Sequence, residues 1–348
     1  MELAHVFRRY GDSYQRAHRL PLSDLNVIRA IKSCRTSRLG GHCERCDRCG
    51  FERYAYNSCR NRHCPKCQGL VKDRWLESRK AELLPVAYFH NVFTLPHELN
   101  PLILCNMKPM VDLLFRAAAD TLLDFGRNNL GGRIAVTMLL HTWDQTLGAH
   151  FHLHAVVTGG ALAEGGDRWI CGDSNFLFPV KALSPVFRAK FMEGFKKIYD
   201  REKLLFPGQA VTFRDPGSFK RLCNTLWSKR WVRYSKKPYA GAEQVLDYLG
   251  RHTHRVAISN DRLLAVDDGK VCFSYRNRAQ GNVRKTMTLE AHEFIRRFLL
   301  YVLPHGYTRI RHFGLLASRH KREHLARCRQ LLAVPPPAEP QQDKTVAQ

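Results

Sequence analysis

The sequence predicts an α+β protein in which a small cysteine-rich module precedes a larger domain with a central antiparallel sheet and flanking helices. Seven of the 12 cysteines fall between Cys34 and Cys67. From about residue 86 to residue 330, segments of strand length alternate with apolar patterns of helical period. One of the strand segments carries three alternating histidines, namely His150, His152 and His154.

The elements of the cysteine-rich module come first in the chain. Apolar residues at helical spacing follow Ser23 or Asp24, either of which is a suitable helix cap. Residues 40–69 are rich in Gly, Cys, Arg and Asn, and residues 70–84 return to a helical pattern. We therefore place this module in residues 1–75.

The larger domain is predicted in residues 76–330, and a disordered proline-rich tail in residues 331–348. Helices are expected at 109–125 and at 289–303, where Pro304 ends the second. The turn Asp267-Asp268-Gly269 predicts a hairpin. The predicted strands are 87–95, 133–142, 149–158, 258–266 and 270–275.

The charge of the chain indicates a polyanionic partner. Fifty-six basic residues against 31 acidic ones give a net charge of +25, and nucleic acid is the first candidate for such a partner. No lipid-facing amphipathic segment and no run of 18 apolar residues is present, so we expect no membrane partner. The N-terminal residues do not have the layout of a signal peptide, and we expect a cytosolic protein.

The cysteine spacing predicts a zinc site. In a reducing cytosol, clustered cysteines bind metal more often than they form disulfides. Two C-x2-C pairs with fourteen residues between them approach the spacing of a zinc ribbon, and they predict a structural Zn²⁺ ion on Cys46, Cys49, Cys64 and Cys67. Cys43 is an alternative to Cys46. A second zinc site and a simple packing role are both open for Cys34, His42, Cys59 and His63.

The alternating histidines predict a second metal site. Strand residues two apart project from the same face, about 6.5–7 Å apart, so two imidazoles can share one divalent ion. His150 and His154 would lie about 13 Å apart, which is too far for one ion. We therefore predict His152 and His154 as the metal pair, with a further ligand from elsewhere in the chain. A row of solvent-facing histidines is the alternative.

A tyrosine in a predicted helix is the candidate nucleophile. Tyr248 and His252 are four residues apart, about 6 Å along one helix face. A tyrosine hydroxyl, with a pKa near 10, needs a metal-activated electrophile or a nearby base. Tyr248 could equally be a packing residue.

Taken together, these segments resemble the HUH endonuclease superfamily and, more specifically, transposases of the insertion-sequence 91 family. The resemblance spans about residues 30–320. It is carried, in order, by 56–68 (YNSCRNRHCPKCQ), 93–99 (FTLPHEL), 150–160 (HFHLHAVVTGG), 248–251 (YLGR), 253–260 (THRVAISN) and 309–316 (RIRHFGLL).

The resemblance implies an HUH-type catalytic domain that nicks single-stranded DNA at the ends of a mobile element. Tyr248 would be the nucleophile, strand transfer would follow a rolling-circle-like route, and Mg²⁺ or Mn²⁺ would be the catalytic ion. The family pattern has a second tyrosine where this chain has His252. Three interpretations remain open: a single-tyrosine enzyme, an enzyme with His252 as the missing metal ligand, or a decayed copy.

Two other classes of function fit part of the sequence. A zinc-dependent DNA-binding protein without catalysis would explain the cysteines and the charge, but not His152, His154 and Tyr248. A metal-dependent hydrolase of small phosphoesters would not need so basic a chain. The oligomeric state cannot be predicted from the sequence.

Overall fold

The computed structural model describes residues 1–80, 82–173, 177–229, 231–239, 244–245, 250, 256–277, 280–304, 306–317 and 319–335. Among these residues the helices are α1 (Leu3–Ala17), α2 (Leu22–Ser33), α3 (Gln68–Lys80), α4 (Asn100–Cys105), α5 (Met107–Leu130), α6 (Val180–Asp200), α7 (Pro216–Ser228), α8 (Ala291–Leu299) and α9 (Lys321–Leu331). The strands are β1 (Gly41–Arg45), β2 (Glu52–Tyr56), β3 (Tyr88–Thr94), β4 (Gly132–Arg133), β5 (Ala135–Trp143), β6 (Ala149–Thr158), β7 (Gly160–Ala163), β8 (Trp169–Cys171), β9 (Val232–Tyr239), β10 (Leu263–Asp267), β11 (Lys270–Asn277), β12 (Val283–Glu290) and β13 (Ile310–Gly314).

The chain divides into two compact units. The first consists of Met1–Asp73, Leu140–His152 and Arg251–Arg309, and the second of Arg74–Leu139, Leu153–Gly250 and Ile310–Gln348. Two later segments therefore belong to the same unit as the N-terminal residues.

The largest sheet has five strands in the order β13-β5-β6-β3-β9. A five-residue loop at 144–148 joins β5 to β6, and so short a connection requires the two strands to be antiparallel. Asp144 closes this loop, since its Oδ1 accepts hydrogen bonds from the backbone N–H groups of Thr146 and Gly148, each at 2.8 Å. All nine residues of β5 are buried.

The first unit has a hydrophobic core of its own. Residues of α1, α2, β10, β11 and α8 pack together there, and Phe7 meets Phe298 edge-on at 5.4 Å between ring centroids. Cys34, Cys64 and Cys67 belong to the same core. Three of the candidate metal ligands are thus held by apolar packing, which fixes their positions.

The predicted α+β class with antiparallel sheets is confirmed. The bounds predicted for β6 are the observed ones, and those of β3 and β5 differ by one or two residues. Asp268 and Gly269 both have positive φ, 44° and 72°, as the turn between β10 and β11 requires.

The starts of α2, α8 and β10 are among the boundaries that differ from the prediction. The N-cap of α2 is Pro21 and not Ser23 or Asp24, and the Pro21 carbonyl oxygen accepts hydrogen bonds from the N–H groups of Asp24 and Leu25. The helix expected over 289–303 begins only at Ala291, because residues 283–290 form β12 on the edge of a three-stranded sheet. The strand expected over 258–266 begins at Leu263 after a short 3₁₀ turn. No helix in the part of the chain that the structure describes is long and apolar enough to cross a membrane.

Candidate functional site

The first candidate site is a group of three histidines on neighbouring strands. His152 and His154 project from one face of β6, and His141 lies on β5, the next strand in the sheet. The candidate ligand nitrogens of all three lie within 4.8 Å of one another, so the group could hold a metal ion. The structure thus brings the predicted pair together with a third imidazole.

Hydrogen bonds orient two of these rings. His152 Nδ1 lies 3.1 Å from the backbone carbonyl oxygen of His150, and a ring that donates its Nδ1–H there carries its lone pair on Nε2, the atom that can ligate an ion. His154 Nδ1 lies 2.9 Å from Nε2 of His90 on β3, with the two rings stacked at 5.1 Å. His141 and His152 are edge-to-face at 5.3 Å and are 5% and 9% exposed. His141 and His152 are therefore shielded from water, while His154 is partly exposed.

Sequence reasoning did not identify His141 or His90. Each lies in a segment that the sequence predicts as a strand, but a ligand on a neighbouring strand is recognisable only when the strand order is known. His150 is on the same strand face as the predicted pair, and its ring lies 4.7 Å from that of His152.

The segment that precedes the candidate nucleophile is anchored on the histidine-bearing face of the sheet. Val245 is fully buried and packs with Val156 of β6 and Tyr88 of β3. Val156 is two residues beyond His154 and therefore projects from the same face. Tyr248 and His252 themselves lie outside the described residues.

The second candidate site is a group of four cysteines, Cys34, Cys59, Cys64 and Cys67, whose sulfur atoms lie within 4.8 Å of one another. Cys67 Sγ is 3.3 Å from Cys34 Sγ and 3.5 Å from Cys59 Sγ. In a tetrahedral zinc site with Zn–S bonds of about 2.3 Å, sulfur atoms are about 3.8 Å apart. The donor set and its spacing therefore fit a structural zinc ion.

The protonation of these thiols also fits a metal site. Hydrogen bonds from neighbouring thiols, that of Cys64 first, lower the pKa of Cys59 to about 5 against the opposing effect of burial. Burial raises the pKa of Cys34 to about 11, and the hydrogen bond to Cys59 raises the pKa of Cys64. One thiolate in the group is thus stabilised by its neighbours, and a divalent cation would take the place of the remaining thiol protons.

The cysteine spacing predicted that Cys46 and Cys49 would share an ion with Cys64 and Cys67. The structure does not bring these two pairs together. Cys46 and Cys49 are exposed at the end of the β1–β2 hairpin, while Cys34 and Cys59 complete the group in the core. The physical reason is that β1 and β2 pair along their whole length, which extends the first C-x2-C pair away from the core.

The other two residues considered for a second zinc site do not join the cysteine group. His42 is exposed on β1, with Nε2 3.3 Å from Glu44 Oε1. His63 is buried, and its pKa is lowered to about 3 by burial and then by the nearby charges of Arg309 and Arg62.

Two partly buried arginines lie near His63. Arg62 donates hydrogen bonds to the backbone carbonyls of Leu303, Pro304 and Tyr307, and the Arg309 guanidinium lies 5.4 Å from the centre of the Trp143 ring. Burial, followed by the charge of Arg62, lowers the pKa of Arg309 to about 10. Two positive charges therefore lie near the buried His63 ring and oppose its protonation.

Comparison with known proteins defines the class of this protein. Residues 6–95 match the family described as "Transposase zinc-binding domain", and residues 135–324 match the family described as "Putative transposase". A relative from Sinorhizobium fredii, described as "Putative transposase y4qJ", is 47% identical over 99% of this chain and 87% of its own length. The transposase for insertion sequence element IS801 of Pseudomonas savastanoi pv. phaseolicola is 28% identical over 85% of this chain and 71% of its own length. No solved structure matches the chain.

The protein is therefore a transposase with a zinc-binding domain, and DNA is the partner that this class implies. More specifically, the chain belongs to the insertion-sequence 91 family of transposases. The zinc-binding match includes all four cysteines of the group in the core, and the second match includes His141, His152 and His154.

Proposed function

We propose that this transposase nicks single-stranded DNA at the ends of a mobile element and transfers the strand by a rolling-circle-like route. The observation that carries the proposal is the group formed by His141, His152 and His154 on adjacent strands. Such a group can hold a metal cation next to a phosphodiester. The net charge of +25 attracts DNA to the protein. DNA in the bacterial cytosol or nucleoid would be the substrate.

The three imidazoles would hold the catalytic ion. A bound divalent cation supplies polarisation of the scissile phosphate and stabilises the charge that develops there. Mg²⁺ or Mn²⁺ is the proposed ion, and three nitrogen ligands favour Mn²⁺, because Mg²⁺ prefers a shell of oxygen atoms. His90 would orient His154 through the 2.9 Å hydrogen bond between the two rings.

Tyr248 is the proposed nucleophile. Its phenolic oxygen would bond to phosphorus as the bond to the 3′ oxygen breaks, leaving a phosphotyrosine link and a free 3′-hydroxyl. The phenol proton passes to a base, and the departing 3′ oxygen takes up a proton. The link retains the energy of the broken ester, which the strand-transfer step needs. Support comes from the family resemblance and from Val245, which is packed on Val156 only three residues before Tyr248. Three residues of chain reach at most about 11 Å.

The proposal is tested by incubating the full chain with labelled single-stranded element ends and Mn²⁺, then separating protein from DNA under denaturing conditions. We expect a labelled band at the mass of a protein–DNA adduct. Tyr248→Phe should eliminate the band, and Tyr275→Phe, which removes a hydroxyl from β11, should leave it unchanged. An adduct that persists in Tyr248→Phe would show that another residue is the nucleophile. A wild-type chain that binds DNA without any adduct would favour a non-catalytic zinc-dependent DNA-binding protein or a decayed copy.

The family's second tyrosine position, occupied here by His252, is tested in the same assay. If His252 has no role, His252→Tyr should leave the adduct unchanged or increase it. If His252 is a metal ligand, the same variant should need more Mn²⁺, because a phenol is a poor substitute for an imidazole. An adduct formed by His252→Tyr but not by wild type would identify a decayed copy.

A further inference from the structure

The end of the β1–β2 hairpin holds Cys46 and Cys49 in a preformed turn. The N–H of Cys46 donates to the carbonyl of Phe51, and the N–H of Gly50 donates to the carbonyl of Cys46, each at 2.9 Å. Gly50 has a φ of +71°, a left-handed conformation that favours glycine. This turn presents both sulfur atoms on one side of the hairpin, where a C-x2-C pair can bind one ion.

Hydrogen bonds converge on the sulfur of Cys46. It accepts from the backbone N–H groups of Cys49 and Arg48 and from the thiol of Cys49. Arg45 and Arg48 lie directly beside the pair in the sequence. The turn therefore combines two thiol ligands with backbone donors and cations that offset the negative charge of a zinc–thiolate centre.

This pair is only half of a zinc site. Structural zinc is almost always held by four ligands, and Cys46 and Cys49 supply two. Within the described ranges, the groups of three or more candidate ligands are the Cys34–Cys59–Cys64–Cys67 group and the His141–His152–His154 group. Neither group contains a residue of the hairpin, so the described residues are not arranged as a four-ligand site on Cys46 and Cys49.

The hairpin is also exposed in a way that indicates a partner. Phe51 and Tyr54 are each 67% exposed, and Tyr56 is 46% exposed. All residues from Gly40 to Tyr54 are exposed. A two-stranded hairpin without a packed face is marginally stable in water, so a second surface or a metal ion would stabilise this one.

We propose that Cys46 and Cys49 of one copy of this chain and the same two residues of a second copy hold a single zinc ion, which joins the two copies into a dimer. A second copy is the occupant that matches the site, because two identical thiolate pairs related by a two-fold axis give four sulfur ligands. The four thiols lose their protons to solvent as the ion binds. The same symmetry brings the exposed aromatic residues of two hairpins to one junction.

The experiment compares the full wild-type chain with Cys46→Ser under a phosphine reductant, so that disulfides do not contribute. Sedimentation gives the mass in solution, and elemental analysis gives the zinc content. We expect wild type to be a dimer and Cys46→Ser to be a folded monomer that has lost one zinc ion for every two chains. Cys171→Ser, which changes an exposed cysteine of β8, should remain a dimer with its zinc unchanged.

Zinc stoichiometry decides between this proposal and its alternatives. Loss of one zinc ion per chain from Cys46→Ser, with wild type a monomer, would mean that a single chain completes the site. No loss of zinc, or a dimer that survives both Cys46→Ser and Cys49→Ser, would overturn the proposal. The outcome does not depend on DNA cleavage, so failure of the nuclease proposal would leave this test unaffected.

Discussion

The two candidate metal sites differ in the chemical type of their ligand atoms. Sulfur atoms of Cys34, Cys59, Cys64 and Cys67 form one group, and ring nitrogens of His141, His152 and His154 form the other. Thiolates select soft ions such as zinc, whereas imidazoles accept a wider range of transition metals and leave positions open for substrate oxygen atoms. A substitution that prevents metal binding at one site should therefore leave metal binding at the other unchanged.

His141→Ala or His152→Ala should reduce the rate of adduct formation by more than about a hundredfold, because a ligand of the catalytic ion is removed. The tightly bound zinc and the far-ultraviolet circular dichroism should remain those of wild type. Thr142→Val is the matched control, since Thr142 is the neighbouring buried residue on the opposite face of β5. Loss of tightly bound zinc from the histidine variants would show that the two sites have been assigned wrongly.

His312 should make the stability of the protein depend on acidic pH. Burial, and then the charges of Arg79 and Lys321, lower the pKa of His312 to about 4. Arg79 donates to Nε2 at 3.2 Å, and Thr137 Oγ1 lies 3.0 Å from Nδ1, which favours the neutral ring. Because the folded-state pKa is below the ordinary value of about 6.5, this contribution is present above pH 6.5 and is lost as the pH falls towards 4.

The measurement is urea unfolding between pH 7 and pH 4. His312→Asn should flatten the loss of unfolding free energy over that range, whereas His97→Asn, which changes a largely exposed histidine, should retain the wild-type profile. An identical pH profile for His312→Asn would show that the ring is not held neutral by its surroundings.

Whole elements show which parts of the fold can be predicted from local sequence. The bounds of β6 and the pairing of His152 with His154 follow from alternation within one segment, because strand residues change face at each step. His141 could not be identified in this way, since its proximity to His152 depends on β5 lying next to β6.

The grouping of the cysteines also depends on tertiary structure. Spacing alone favours the two C-x2-C pairs, but hairpin pairing separates them, and Cys34 at the end of α2 takes part instead.

The end of β13 depends on a glycine. Gly314 has a φ of +64°, and a Cβ atom there would overlap the carbonyl oxygen of Ile134. Gly314→Ala should therefore lower the free energy of unfolding by more than about 1 kcal/mol, through both backbone strain and steric overlap. Gly166→Ala is the control, because its φ is +70° but no atom lies within 4 Å of the added Cβ. Equal losses for the two variants in thermal unfolding would mean that the contact with Ile134 is unimportant.

At the scale of the whole molecule, the excess of basic side chains should control DNA binding. Because the net charge is +25, we expect the affinity for DNA to fall steeply as the salt concentration rises. For each phosphate neutralised on a single strand, the logarithm of the binding constant should fall by about 0.7 for every tenfold increase in salt. Arg and aromatic side chains that stack on bases should favour single strands over duplex. Fluorescence anisotropy with matched single-stranded and blunt duplex oligonucleotides at several salt concentrations measures both effects. Tighter binding to the duplex would count against the nuclease proposal.

The short loop between β5 and β6 has a consequence for the order in which the protein matures. His141 and His152 are only eleven positions apart in the sequence, so the contact between them closes a small loop and should form early in folding. During synthesis both residues leave the ribosome well before Tyr248 has been added to the chain. The proposed metal ligands would then be assembled while the chain still lacks its nucleophile, and the nascent protein could not cleave DNA until Tyr248 had been added.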